Sequence, residues 1–144
     1  MRRYLLLLLL LASPAVVAGE FRSIGDSVVL MYDAPSVKAN KLFVASRFYP
    51  VEVIVQVDNW TKVRDVAGDL AWVEKKDLSN TRTVVVTAAL ADVRQQPDDG
   101  APLVFQARKG VALEVVELGA GLWVKVRHRD GQTGFVRANQ VWGL

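Results

Sequence analysis

The sequence predicts an all-β protein built from two similar small domains, each a barrel of short antiparallel strands. Three observations predict it: a sequence block that occurs twice, apolar residues that alternate, and turn residues that separate the apolar runs. The repeated block reads "WTKVRDVAGDLAWVEKKDL" at 60–78 and "WVKVRHRDGQTGFVRANQV" at 123–141. Trp, Lys, Val, Arg, Gly and Val recur at equal offsets, which predicts two copies of one fold.

Residues 1–18 are predicted to be a secretory signal. Two arginines, a leucine run and a small-residue end have the layout of such a segment, with cleavage after Ala18. The mature chain then begins at Gly19, with Glu20 as an alternative start. An uncleaved membrane anchor is the other interpretation, but the apolar run is 15 residues long and contains Pro14, whereas a span needs about 20. We expect an exported protein, periplasmic or secreted, with no membrane span in its mature form.

Charge and cysteine content exclude several functions. The chain has 18 basic and 15 acidic residues, and removal of Arg2 and Arg3 leaves 16 basic ones. A nearly neutral mature chain argues against nucleic acid as a partner, because such binding needs a clustered positive surface. The absence of cysteine excludes disulfides, thiol nucleophiles and thiolate metal sites.

The repeat extends beyond the tryptophan block and defines two domains, near 25–79 and 84–144. The segments 29–36 and 91–98 match at an offset of 62 residues, whereas the tryptophan blocks match at 63. The second copy therefore has one residue more, just before Trp123, and insertions are best tolerated in surface loops. We therefore expect a loop before each Trp, and a short polar link, "SNTR", between the domains.

Alternating apolar residues predict half-buried strands within each copy. They are Val51, Val53 and Val55 in the first copy and Val111, Leu113 and Val115 in the second. The segment "VVVTAALADVR" at 84–94 is a competing helix, but its β-branched start favours a strand. Several short antiparallel strands in so small a unit favour a closed barrel, which removes exposed strand edges.

Turn residues separate these runs, and "RDGQ" is the clearest case. Asp130-Gly131 predicts a two-residue type I′ hairpin turn, in which both central residues have positive φ. Ala67-Gly68 occupies the equivalent place in the first copy.

The second copy resembles bacterial SH3 (SH3b-type) domains. The resemblance rests on "ADVRQQP" at 91–97, "GLWVKV" at 121–126 and "GFVRANQV" at 134–141. The first copy is divergent, with Tyr32 replacing the opening Arg and Ala71 replacing the Gly before the aromatic residue. The resemblance implies two tandem five-stranded SH3-like barrels that bind peptidoglycan or peptides and carry out no catalysis.

Strand parity places the two repeated tryptophans on the solvent side. Val124 and Val126 must face a core, so Trp123 faces away from it, and Trp60 does the same in the first copy. Such a ring is either a platform for an extended peptide or sugar, or it covers a barrel end or packs between the barrels. For packing between the barrels, the candidates are Trp142 and either Phe48 or Tyr49.

The predicted ligand-binding residues combine aromatic rings with cations: Trp123, Phe135, Arg94, Lys125, Arg137, Trp60 and Tyr32. The second copy is favoured as the ligand-binding one, because Arg137 stands where the first copy has Glu74. The groove that SH3 domains use for polyproline is incomplete in both copies. Carboxylates of peptidoglycan stem peptides could instead meet these cations, although an ordinary solvated barrel face is the favoured interpretation of the charges.

No enzyme is predicted. The chain carries no nucleophile motif, no Gly-rich phosphate loop and no acid–base pair, and His128 is its single histidine. We expect His128 to be exposed, and Asp98-Asp99-Gly100 to form a turn and not a calcium loop. No cofactor or metal is therefore expected. The predicted partner is peptidoglycan or an envelope protein or peptide. The alternative function is a structural adaptor in an envelope protein assembly, with no peptidoglycan binding.

Overall fold

The computed structural model describes residues 19–25, 27–119 and 121–144, and these form two separate antiparallel sheets of seven strands each. The predicted signal at 1–18 lies outside the described residues. Within the described ranges, no helix has the length and apolar character needed to cross a membrane.

The first sheet holds the first seven strands in the order β3-β2-β6-β5-β4-β1-β7. Its strands are β1 (Glu20–Ile24), β2 (Val29–Tyr32), β3 (Lys41–Ala45), β4 (Pro50–Val57), β5 (Trp60–Arg64), β6 (Leu70–Glu74) and β7 (Leu78–Ser79). A 3₁₀ turn, Lys75–Asp77, separates β6 from β7.

The second sheet repeats this arrangement in the order β10-β9-β13-β12-β11-β8-β14. Its strands are β8 (Thr83–Val86), β9 (Leu90–Arg94), β10 (Leu103–Arg108), β11 (Ala112–Glu117), β12 (Trp123–Arg127), β13 (Thr133–Arg137) and β14 (Val141–Trp142). The 3₁₀ turn Ala138–Gln140 precedes β14. We refer to the two coiled sheets as the first and second barrels.

The repeat in the sequence is therefore a repeat in the fold, and the all-β prediction is confirmed. Strands β8 and β9 form from "VVVTAALADVR", where a helix was the alternative. A loop precedes each Trp, because β4 ends at Val57 and β11 at Glu117, before Trp60 and Trp123. Each barrel has more strands than the five that the resemblance implies, and one of the additions, β1, begins at Glu20, before the repeated sequence.

Strand β12 follows the predicted parity. Val124 and Val126 are 1% and 0% exposed, whereas Trp123 and Lys125 are half-buried on the opposite face. In β5 the buried positions are Thr61 and Val63. The side-chain period of a strand is two, so one buried valine determines the direction of its neighbours.

Each barrel encloses its own apolar core. The first core consists of Ile24, Val29, Met31, Ala45, Val51, Val63, Ala71 and Val73. The second consists of Val84, Val86, Ala91, Val93, Ala107, Leu113, Val124, Val126, Val136 and Val141. Val115, one of the alternating residues of the second copy, is only partly buried and packs against the second core. The strand bulges between Val115 and Glu117, so the ladder with β12 is irregular there.

The turn between β12 and β13 differs from the predicted type I′ turn. Gly131 has a φ of 94°, but Asp130 is absent from the described non-glycine residues with positive φ. The N–H of Gly131 donates to the carbonyl of His128, and the N–H of His128 donates to Gln132. The hydrogen bond between Gly131 and His128 therefore lies inside the one between His128 and Gln132. Gly131 is the turn residue in the left-handed region. This is a type I turn followed by a glycine bulge.

The barrels contact each other through β1, the link and β14. The rings of Phe21 and Trp142 meet edge to face with centroids 5.2 Å apart. The Arg82 guanidinium lies 5.7 Å from the Phe21 ring, and its Nη2 donates to the Gly143 carbonyl at 3.0 Å. The Ser23 hydroxyl donates to the carbonyl of Thr81 at 2.8 Å. The prediction that Trp142 packs between the barrels is confirmed, and its aromatic partner is Phe21. Phe48, another predicted candidate, lines a cavity to which both barrels contribute.

Candidate ligand-binding face of the second barrel

Five of the predicted site residues lie in neighbouring positions on the outward side of strands β9, β12 and β13. Trp123 pairs across the ladder with Arg137, and Lys125 pairs with Phe135. Phe135 in turn pairs with Arg94 of β9. Directly opposed residues of an antiparallel pair have Cβ atoms about 4.5–5.5 Å apart. We call this set of five residues the aromatic–basic face.

Arg137 is held in place from two sides. Its guanidinium carbon lies 4.9 Å from the centroid of the Trp123 ring. Its Nε donates to Asp99 Oδ1 at 2.9 Å, and its Nη2 donates to the other carboxylate oxygen. Hydrogen bonding from Arg137 holds the pKa of the Asp99 carboxyl below its usual value, and the same pair raises the pKa of Arg137. The bidentate pair ties β13 to the loop between β9 and β10.

Arg94 braces the same loop, and Lys125 extends over an aromatic ring. Nη1 of Arg94 donates to the Ala101 carbonyl at 2.8 Å, and Nη2 lies 3.4 Å from Asp92 Oδ2. The ammonium of Lys125 lies 5.8 Å from the Phe135 ring centroid. The face therefore presents two rings and three cations, with the carboxylates of Asp92 and Asp99 at its margin.

The equivalent face of the first barrel has different chemistry. Trp60 pairs with Glu74, and Trp72 pairs with both Lys62 and Tyr32. The Tyr32 and Trp60 rings meet edge to face with centroids 5.6 Å apart, and Tyr32 is buried. The two predicted residues Trp60 and Tyr32 thus lie together, but in a different sheet from the aromatic–basic face. Much of the Trp60 ring packs against its own barrel.

Sequence reasoning missed an exposed apolar strip on the first barrel. Leu30 and Val44 pair directly between β2 and β3 and are 37% and 64% exposed, with Leu42 beside them. The repeat places Asp92 and Gln106 at the equivalent positions of the second barrel, and their side chains are hydrogen-bonded at 2.8 Å. The alignment of the two copies could have revealed this exchange of a polar pair for an apolar one.

Two further predictions concern the loops. The carboxylate of Asp98 accepts the N–H of Gly100, as expected of a turn. His128, expected to be exposed, is half-buried, because its ring packs on Phe105 with centroids 5.5 Å apart and its Nδ1 lies 3.2 Å from Asp130. Among the residues that the structure describes, no group of three or more His, Cys, Asp or Glu is placed to hold a metal ion.

Comparison with known proteins gives one family and several distant structures. A family model described as "Bacterial SH3 domain" matches residues 25–80 and again 87–143. No curated protein matches the chain.

The structures resemble the chain only remotely. NlpC1 from Trichomonas vaginalis has 12% identity and a TM-score of 0.40, over 90% of this chain and 47% of that one. NlpC2 from the same organism has 12% identity and a TM-score of 0.39, over 85% and 47%. An NlpC/P60 family protein from Bacillus cereus has 17% identity and a TM-score of 0.39, over 85% and 56%. The chain spans about half the length of these proteins.

Proposed function

Because the chain belongs to the bacterial SH3 domain family, we propose that it is a non-catalytic binding module of the cell envelope. Its second barrel binds a carboxylate-bearing peptide of peptidoglycan through the aromatic–basic face. One observation carries this proposal: Trp123 and Phe135 lie beside Lys125, Arg137 and Arg94 on one outward surface. Rings and cations in this arrangement suit a ligand that combines an extended chain with a carboxylate.

The ion pair with Asp99 prepares Arg137 for binding. The carboxylate takes Nε and Nη2, so the guanidinium keeps further N–H groups for a second acceptor. The side chain is already fixed over the Trp123 ring. A ligand therefore does not have to order a flexible arginine, which lowers the entropic cost of association.

The first barrel is less suited to an anionic ligand. Glu74 stands beside Trp60, at the position that Arg137 occupies in the second barrel. A carboxylate approaching Trp60 meets a like charge, which is unfavourable. This contrast provides a control within the same protein.

Co-sedimentation of the mature chain with purified sacculi tests the proposal. Trp123→Ala is expected to weaken binding by about 2 kcal/mol or more, the loss typical of a buried aromatic anchor. Trp60→Ala is the matched control and is expected to have a smaller effect. Thermal melts of both variants check that the barrels remain folded. Equal losses of sacculus binding in the two variants, or unfolding caused by Trp123→Ala, would contradict the assignment of the ligand site to the aromatic–basic face.

Export is part of this proposal, since an envelope ligand requires a protein outside the cytoplasm. The signal-like composition of residues 1–18 supports export. N-terminal sequencing of the protein recovered from the producing cells is expected to begin at Gly19 or Glu20. Retention of residues 1–18 would contradict cleavage.

A structural adaptor is the second candidate function, and the apolar strip on the first barrel favours it. Leu30, Leu42 and Val44 are exposed around strand β3, which lies at one end of the sheet order. An end strand can accept an extended segment of a partner by backbone hydrogen bonding. The exposed Lys38 and Lys41 beside the strip favour a segment with acidic flanks.

The double variant Leu30→Asp, Val44→Gln tests the adaptor by giving the first barrel the polar pair of the second. A photo-crosslinking residue at position 42 captures a partner for identification, and binding is then measured with the purified partner. The adaptor predicts that the double variant loses this partner, while its sedimentation with sacculi is the same as that of the wild type. If the double variant still binds the partner, the apolar strip is not the binding surface.

A further inference from the structure

A second surface with binding character lies where the two barrels meet. It is a cavity of about 230 Å³, lined by Arg47 and Phe48 of the first barrel and, from the second, by Ala112, Glu114, Arg127, His128, Arg129 and Gly131. None of these residues belongs to the aromatic–basic face. Both barrels contribute to the wall, so the cavity exists only in the docked arrangement.

Arginines form much of the lining of this cavity. Arg127 and Arg129 of the second barrel line it together with Arg47 of the first, and the Glu114 carboxylate lies 3.6 Å from Arg127 Nη1. His128 adds an imidazole, and the Asp130 carboxylate lies 3.2 Å from its Nδ1. Arg127 and Arg129, both at this partly enclosed space, favour an anion, and arginine suits carboxylate and phosphate oxygens because it donates in a bidentate way.

Phe48 supplies an independent observation. Its φ is 68°, in the left-handed region, and the repeat places Gly110, with a φ of 89°, at the same position of the second barrel. The two backbones are equivalent, because the N–H of Phe48 donates to Ile24 and that of Gly110 donates to Val86. A non-glycine residue in this conformation costs about 1–2 kcal/mol. The second barrel shows that glycine meets the backbone requirement without this strain.

The side chain of Phe48 therefore has a role that its backbone does not explain. The ring forms part of the cavity wall. The guanidinium carbon of Arg47 lies 4.5 Å from its centroid. Strain retained at a ring that lines a basic cavity is typical of a functional position.

We propose that this cavity binds an oxyanion, carboxylate or phosphate, that is attached to an apolar group. Arg127 and Arg129 bind the oxygens, and the Phe48 ring packs against the apolar part. This site is separate from the aromatic–basic face and does not depend on the function proposed for that face.

Titration of the mature chain with N-acetylphenylalanine and with phenyl phosphate tests the site and separates the two sources of oxyanion. Binding is followed by the backbone amide signals of Phe48, Arg129 and Gly131. Saturable binding of at least one probe is expected, together with at least tenfold weaker binding of N-acetylphenylalanine amide, which lacks the charge. Absence of saturable binding by both probes, or equal affinity for the amide, would overturn the proposal.

Variants separate binding from packing. The double variant Arg127→Gln, Arg129→Gln is expected to lower the affinity for the bound probe at least tenfold. Lys109→Gln changes a charge outside the cavity lining and is expected to leave this affinity unchanged. Phe48→Gly is expected to weaken binding while the melting temperature stays the same or rises, because the strain is relieved. A lower melting temperature with unchanged binding would show that the ring only packs, and the proposal would be wrong.

Discussion

Arg137 shows, at the scale of single residues, which part of the site the sequence could predict. Parity predicted that Trp123 faces away from the core, because it alternates with Val124 and Val126, and Arg137 was grouped with it as a candidate cation. Its partner Asp99 could not be predicted. The two are separated by 38 positions, and Asp99 lies in a loop whose path depends on the packing of β9, β10 and β13.

The ion pair makes the aromatic–basic face sensitive to acid. The pKa of Asp99 is below its usual value because Arg137 donates hydrogen bonds to the carboxylate. The pair is therefore fully formed above the ordinary carboxyl pKa and is lost as the pH falls through the lowered value. Arg137→Gln is expected to raise the Asp99 pKa toward that of an ordinary carboxyl, as measured by NMR titration of the side-chain carbon. An unchanged Asp99 pKa would contradict the pairing.

The core valines make a second prediction about single residues. Val126 is fully buried in the second core, so Val126→Ala should lower the free energy of unfolding by about 1–3 kcal/mol through lost burial and a residual cavity. Val116→Ala is the control, because Val116 is 39% exposed in the neighbouring strand. Denaturant melts of the two variants that coincide would contradict the strand parity.

At the scale of secondary structure, the hairpin between β12 and β13 shows what a local motif can and cannot predict. Asp-Gly correctly predicted a tight turn, and its position between two alternating segments correctly predicted a hairpin. The turn type was wrong, because the same dipeptide also fits a type I turn followed by a glycine bulge. Cross-strand pairing decides between them, with Arg127 opposite Thr133 at the end of the ladder. That register depends on the packing of both strands on the core.

Gly134 in β13 marks a close approach between strands. A Cβ at this position would lie 2.7 Å from the Arg94 carbonyl oxygen and 2.7 Å from Val93 Cγ1. The first barrel accommodates Ala71 at the equivalent place, where it is 3% exposed.

Gly134→Ala is therefore expected to destabilise the second barrel by about 1–3 kcal/mol, the usual cost of overpacking. Gly100→Ala is the control, since its added Cβ would meet only the Asp98 carboxylate, at 3.7 Å. Thermal melts compare the two. A Gly134→Ala protein as stable as the wild type would show that the strands can separate at no cost.

At the scale of the whole molecule, two barrels of this size gain from docking. A 60-residue domain buries only about 60% of its unfolded surface and is marginal by itself. The repeat predicted two barrels and therefore most of the fold. Their contact could be predicted only in part: Trp142 was a candidate, whereas Phe21 precedes the repeated sequence and had no counterpart to identify it.

A double-mutant cycle of Phe21→Ala and Trp142→Ala measures this contact. Edge-to-face aromatic pairs contribute about 0.5–1.5 kcal/mol beyond their burial, so a coupling energy of this size is expected in unfolding experiments. Additive effects would show that the barrels do not dock through these rings.

The most direct test of the proposed function is an NMR titration of the four tryptophan indole N–H groups with soluble peptidoglycan fragments that carry free carboxylates. The four signals report on three places: Trp60 and Trp72 on the first barrel, Trp123 on the aromatic–basic face, and Trp142 between the barrels. The Trp123 signal is expected to shift saturably while the Trp142 signal remains in place. Shifts confined to Trp60 and Trp72, or no shift at any of the four, would contradict the claim that the second barrel binds peptidoglycan.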